Sequence, residues 1–89
     1  MESHISDIVL SLSGRDKGML MVVVREDETY LWLANGKGRR AESPKRKKRK
    51  HTAYQGSCDE WTRERMFANG RLSNSEIRKA LALWAGDVD

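Results

Sequence analysis

The chain has 89 residues, 38% of them hydrophobic and 34% charged, with a formal net charge of +4. That length supports one core rather than two, and no apolar run approaches the ~18–20 residues of a membrane span. With no apolar leader and one cysteine, Cys58, the composition argues against a membrane segment, an internal disulfide or a cysteine-based zinc cluster, and makes a cytoplasmic location the expectation.

In chain order, Met1–Ser6 reads as a partly ordered lead-in with His4 exposed. Two apolar runs follow, Ile8–Leu12 and Met19–Val24, each of strand length and rich in Val, Ile and Leu. They predict a first strand from about Ile5 to Leu12 and a second over Met19–Arg25. Between them, Gly14-Arg15-Asp16-Lys17-Gly18 reads as a hairpin tip, where glycines supply backbone conformations that side chains forbid. The same glycines leave room for a partner's backbone, while Arg15 and Lys17 set two cations on the tip.

Glu26-Asp27-Glu28 reads as a solvated acidic turn. Thr29–Ala34 alternates and predicts a third strand, with Leu31 and Leu33 on the core face and Tyr30 and Trp32 on the other. Outward aromatics beside cations could stack on unpaired bases, or could simply close a second face. Asn35-Gly36 is the favoured pair for a type I′ hairpin turn, predicting reversal into a short basic strand around Gly38–Ala41. Pro44 then breaks the pattern. The run Lys45–Lys50 is expected to be a mobile arm in isolation, with ordering as a fifth strand on RNA, together with Thr52–Tyr54, as the alternative.

The last third changes period. Ser57 and Glu60 fit a capping box for a helix from about Cys58 to Ala68, stopped by Asn69-Gly70. Ser73 and Glu76 repeat the box for a second helix reaching about Ala85, with Gly86 after it. Ile77, Ala80, Leu81 and Trp84 make one apolar stripe, which Trp61, Phe67 and Leu72 are placed to face. The resulting helical hairpin, 57–86, either packs on the β part or leaves a stripe for protein contact. The fold class is therefore mainly β with an α-helical C-terminal tail.

Charge is concentrated. Residues 37–51 hold nine basic side chains, Lys37, Arg39, Arg40, Lys45, Arg46, Lys47, Lys48, Arg49 and Lys50, against one acidic, Glu42. The segment carries +8, so the rest of the chain is net negative. Such crowding is unfavourable unless a polyanion relieves it. No HExxH, Walker or GxSxG pattern is present, and Cys58 and His51 have no evident catalytic partner. The expectation is a non-enzyme with no metal, no cofactor and no small-molecule substrate.

The hairpin resembles the KOW motif of ribosomal proteins and transcription elongation factors. Gly14, Lys17 and Gly18 fall on its fixed positions and Val22–Val24 on its second strand, although Met21 stands where many members carry a further glycine. With the acidic turn, Asn35-Gly36 and Pro44-Lys45-Arg46-Lys47-Lys48, the order is similar to short bacterial KOW-domain RNA-binding proteins, themselves related to large-subunit ribosomal proteins. The resemblance covers residues 5–54 and leaves the tail unaccounted for. It implies a small SH3-like five-stranded barrel that binds RNA, ribosomal RNA above all. With the charge distribution, the expected RNA contacts are Gly14, Arg15, Lys17 and Gly18 on the tip and Lys37–Lys50 on the ribbon, with base stacking one of the two roles open to Tyr30 and Trp32.

Two other readings stand beside it. A barrel of this kind can read a peptide or methyl-lysine through an aromatic cluster, here Tyr30, Trp32 and Tyr54, with the basic run as a nuclear-import signal. Charge alone also permits a DNA- or chromosome-associated protein.

Overall fold

The two apolar runs at the head of the chain form adjacent strands, β1 (Asp7–Ser11) and β2 (Leu20–Glu26). β3 (Tyr30–Ala34), β4 (Lys45–Lys48) and β5 (Thr52–Ser57) complete one sheet, and two helices follow, α1 (Glu60–Asn69) and α2 (Asn74–Ala85). This computed structural model describes residues 2–86, and Met1 of the expected lead-in lies outside them. Every pairing is antiparallel, in the order β4-β3-β2-β1-β5. The mainly-β architecture with a helical tail is as the sequence predicts. β4 and β5, the outer strands, are not hydrogen-bonded to one another, so the sheet is open. A three-residue 3₁₀ turn, Arg49–His51, joins them.

Alternation gives the sheet two apolar faces. Val9, Met21, Val23, Leu31 and Leu33 are fully buried together on one. Ile8, Val22 and Ala34 point the other way and share a core with Cys58, Met66, Leu72, Ile77 and Ala80 of the helical part. The helices thus cover an apolar face that the sheet could not leave in water. Burial pushes the Cys58 thiol up to about 12, so it carries no charge there at neutral pH.

Several local expectations are corrected. The basic run is no free arm: it forms β4, because alternation turns Lys47 inward beside Leu31 while Arg46 and Lys48 face out. The strand foreseen at Gly38–Ala41 is instead part of a loop. Asn35 does not make a type I′ turn, which requires positive φ at both central residues. Ser6 is the only non-glycine with positive φ among the described residues. Asn35 Oδ1 instead accepts from the Lys37 and Arg39 amides at 2.9 and 3.0 Å, rounding the chain into the longer β3–β4 loop.

Helix α1 is capped by Asp59, whose carboxylate accepts from Thr62 N, and not by Ser57, whose hydroxyl donates to Asp7 Oδ1 at 3.1 Å. The second capping box holds on both sides, Ser73 Oγ with Glu76 N and Glu76 Oε1 with Ser73 N. Met66, not Trp61 or Phe67, takes the core position on α1. Trp61 is 47% and Phe67 67% exposed. Trp84 packs against β5, where a Cβ on Gly56 would lie 2.3 Å from its indole ring.

The lead-in is stitched to the sheet. Ser6 N donates to Val23 O and Cys58 N to Ser6 O, at 2.8 and 2.9 Å. The acidic turn also works structurally: Glu26 accepts from His4 Nδ1 and Ile5 N, and Asp27 Oδ1 accepts from the Thr29 and Tyr30 amides.

Gly36 and Gly18 both have positive φ, but their surroundings differ. A Cβ on Gly36 would lie 2.5 Å from the Asn74 carbonyl oxygen, whereas one on Gly18 would meet nothing within 4 Å. Gly36→Ala should therefore cost more than about 2 kcal/mol, and Gly18→Ala about 1 kcal/mol of left-handed backbone strain alone. Urea unfolding checks the pair; equal losses would show that the α2 contact does not constrain the loop.

Candidate nucleic-acid interface

The β1–β2 tip closes as a tight hairpin. Gly18 N donates to Ser11 O at 2.8 Å, Met19 N to Asp16 O at 3.0 Å and Lys17 N to Gly14 O at 3.2 Å. Gly14 and Gly18 have φ of +80° and +87°, as a glycine-edged turn requires. Arg15 and Lys17 project into solvent from this tip.

The ribbon and the tip meet through one side chain. Lys47 is buried, 7% exposed, and its Nζ donates to Ser13 O at 2.6 Å and to Asp16 Oδ1 at 2.8 Å. Ser11 Oγ donates to the same carboxylate oxygen at 2.8 Å. Burial disfavours the Asp16 carboxylate, yet the hydrogen bonds from Lys47 and Ser11 and the ammonium's charge outweigh it and hold the carboxyl below its usual range. The room beside Gly14 is already used, since a Cβ there would lie 3.4 Å from Lys47 Nζ.

The predicted contact residues divide into three groups. Lys47 and Arg49 are engaged inside the fold. Arg49 donates to Ser3 O at 2.6 Å and to Asp27 O at 2.7 and 2.9 Å, and pairs with Glu26 at 3.3 Å. A second group converges on one cleft of about 210 Å³ between the tip and the β3–β4 loop, lined by Arg15, Asn35, Gly38, Arg39 and Lys45. Met19, Met21 and Asp16 also line it, and Asp16 is already committed to Lys47. The third group lies outside the cleft lining. Lys17 and Lys37 are exposed on the tip and the loop, Arg40 pairs with Glu42 at 3.2 Å, and Arg46, Lys48 and Lys50 are exposed on and after β4. Among the described residues, Arg15, Lys17, Lys37, Lys45, Lys48 and Lys50 make no ion pair.

The loop that carries Lys37, Arg39 and Arg40 is held from behind by α2. Arg78 Nη1 donates to Gly36 O at 2.6 Å, Asn74 Oδ1 accepts from Ala41 N at 2.7 Å, and Asn74 Nδ2 donates to Glu42. Sequence reading missed these supports because they join residues more than 30 positions apart.

Tyr30 and Trp32 are half-buried on the outer face, their ring centroids 6.4 Å apart at 56°. Arg46 lies 4.5 Å over the Tyr30 ring and Arg25 4.6 Å over Trp32. Arg25 is the residue that the sequence hid. Strict alternation after Met21 and Val23 would turn it inward, but a register shift between Val23 and Arg25 sets it opposite Trp32.

No helix among the described residues is long and apolar enough to cross a membrane. No protein-family model matches the sequence. A search of curated proteins returns no match.

Removing the Lys47 amine, as in Lys47→Met, leaves Asp16 largely desolvated without its cation and should lower stability by about 2–4 kcal/mol, somewhat under the loss for a fully buried pair. In the wild type, the share of stability owed to Asp16 is present above its unfolded value near 3.8 and is lost as pH falls through its lower folded value. Acid titration of urea stability should therefore show a steeper fall below pH ~4 in wild type than in the variant. Parallel curves would mean the pair contributes nothing.

Proposed function

We propose that this chain is an RNA-binding module, its curled sheet an SH3-like barrel of the KOW type, that grips folded RNA, ribosomal RNA above all. The observation that carries this reading is the cleft. Three cations from three separate segments, Arg15, Arg39 and Lys45, line one recess, and Arg15 and Lys45 have no carboxylate partner among the described residues. Leaving such charges together is unfavourable, and a phosphate backbone would relieve it. Lys17, Lys37, Lys48 and Lys50 would add further phosphate contacts, whereas Lys47 and Arg49 would hold the scaffold.

The peptide- or methyl-lysine-reading alternative finds less support. A cage must offer bare ring faces to a cation, yet Arg25 and Arg46 already lie over Trp32 and Tyr30. Tyr54, the third residue of that cage, stands opposite Val9, whose side chain shares the Leu31–Leu33 face of the sheet, the reverse of the face that carries Tyr30 and Trp32. DNA as the polyanion is separated from RNA by comparing the two at matched salt.

With about four to six phosphates neutralised, log affinity for a structured RNA should fall against log salt with a slope of about −3 to −5. Arg39→Ala with Lys45→Ala should weaken binding and make the slope shallower by about 1.5. Filter binding across a salt series checks both; a salt-insensitive affinity, or a double variant with the wild-type slope, overturns the reading.

A further inference from the structure

The cleft accounts for the cations at the end of the sheet, but not for the row on its open face. Register places Arg25 of β2 opposite Trp32 of β3, and Trp32 opposite Arg46 of β4; Tyr30 stands opposite Lys48. Five side chains from three strands thus form a two-row patch of alternating aromatic and cationic groups. The patch lies on the part of the outer face away from the buried Ile8–Val22–Ala34 row that the helices cover. Arg25, Arg46 and Lys48 make no ion pair among the described residues. Each guanidinium is instead parked on a ring. With Cζ 4.6 and 4.5 Å from the ring centroids, each guanidinium extends the ring's surface, and another planar group can stack there with a positive charge nearby for a phosphate.

We infer that this face is a second subsite that stacks unpaired nucleotides of the RNA held by the cleft. The inference rests on the RNA-binding reading and narrows its ligand, from folded RNA in general to RNA with an unpaired segment beside the duplex. Charge complementarity selects the occupant: three cations on two strands, with Asp27 of the neighbouring turn close enough to feel only Arg25 among them, suit a polyanion with exposed planar bases. A fully paired helix buries its base faces and could not use the platform. The continuity is built into β4, whose successive residues Lys45 and Arg46 serve the cleft and the face respectively.

The test compares two RNAs of equal phosphate number, a hairpin with a five-nucleotide loop and a blunt duplex, at the same salt. The wild type should bind the looped RNA about tenfold or more tightly, the size of one stacked base. Trp32→Leu should bring the looped RNA down to the duplex affinity, leaving the duplex affinity and both salt slopes unchanged. A second readout uses the unaltered protein: ultraviolet crosslinking to a loop bearing 4-thiouridine should label residues 30–32. Equal wild-type affinities for the two RNAs, or crosslinks confined to the hairpin tip and the β3–β4 loop, overturn the stacking subsite and leave the cleft intact. If neither RNA binds, the cleft reading falls with it.

Discussion

The fold turns on a lysine amine tucked beneath the sheet. An ammonium out of water is costly unless paired and hydrogen-bonded, and Lys47 meets both conditions only because the β1–β2 tip delivers Asp16 and the Ser13 carbonyl to it. The contact spans from an edge strand to the loop after β1, so the sheet must curl for it to exist. It therefore fixes the distance between tip and ribbon, and with it the mouth between Arg15 and Lys45. A basic run that looks uniform in sequence is thereby split into a residue that builds and neighbours that face solvent.

Much of the frame was legible in the sequence. Paired apolar runs gave β1 and β2, alternation gave the Leu31–Leu33 core face, and the Ser73–Glu76 box and Gly86 set α2. These succeed because the relevant physics is local. Some of the failures are cases where a distant contact overrode a local preference, and others where one local device replaced another. Composition alone makes Lys45–Lys50 look disordered, until pairing with β3 and the Asp16 carboxylate absorb part of its charge. Asn35-Gly36 favours a two-residue turn in isolation, but the Asn35 side chain rounds the chain into a wider loop that Arg78 and Asn74 of α2 hold.

The site was readable in outline and not in division of labour. Arg15, Arg39 and Lys45 were named by charge and do share one recess. Nothing in the spacing distinguishes Lys47 from Lys48, because which one turns inward depends on the register with β3. Arg25 was invisible for a related reason, since one extra residue at Val24 reverses the parity of everything after it. Edge strands also carry lysines simply to discourage pairing with other chains, which β4 would do whether or not a ligand binds.

The indole resting on Gly56 ties the last turn of α2 to the C-terminal end of β5. Positions 56 and 84 therefore cannot vary independently. A side chain at position 56 would push the ring, already 43% exposed, off the strand, whereas a smaller residue in place of the ring would leave the backbone at Gly56 bare. In related chains the two should trade volume together, so that bulk gained at one is surrendered at the other.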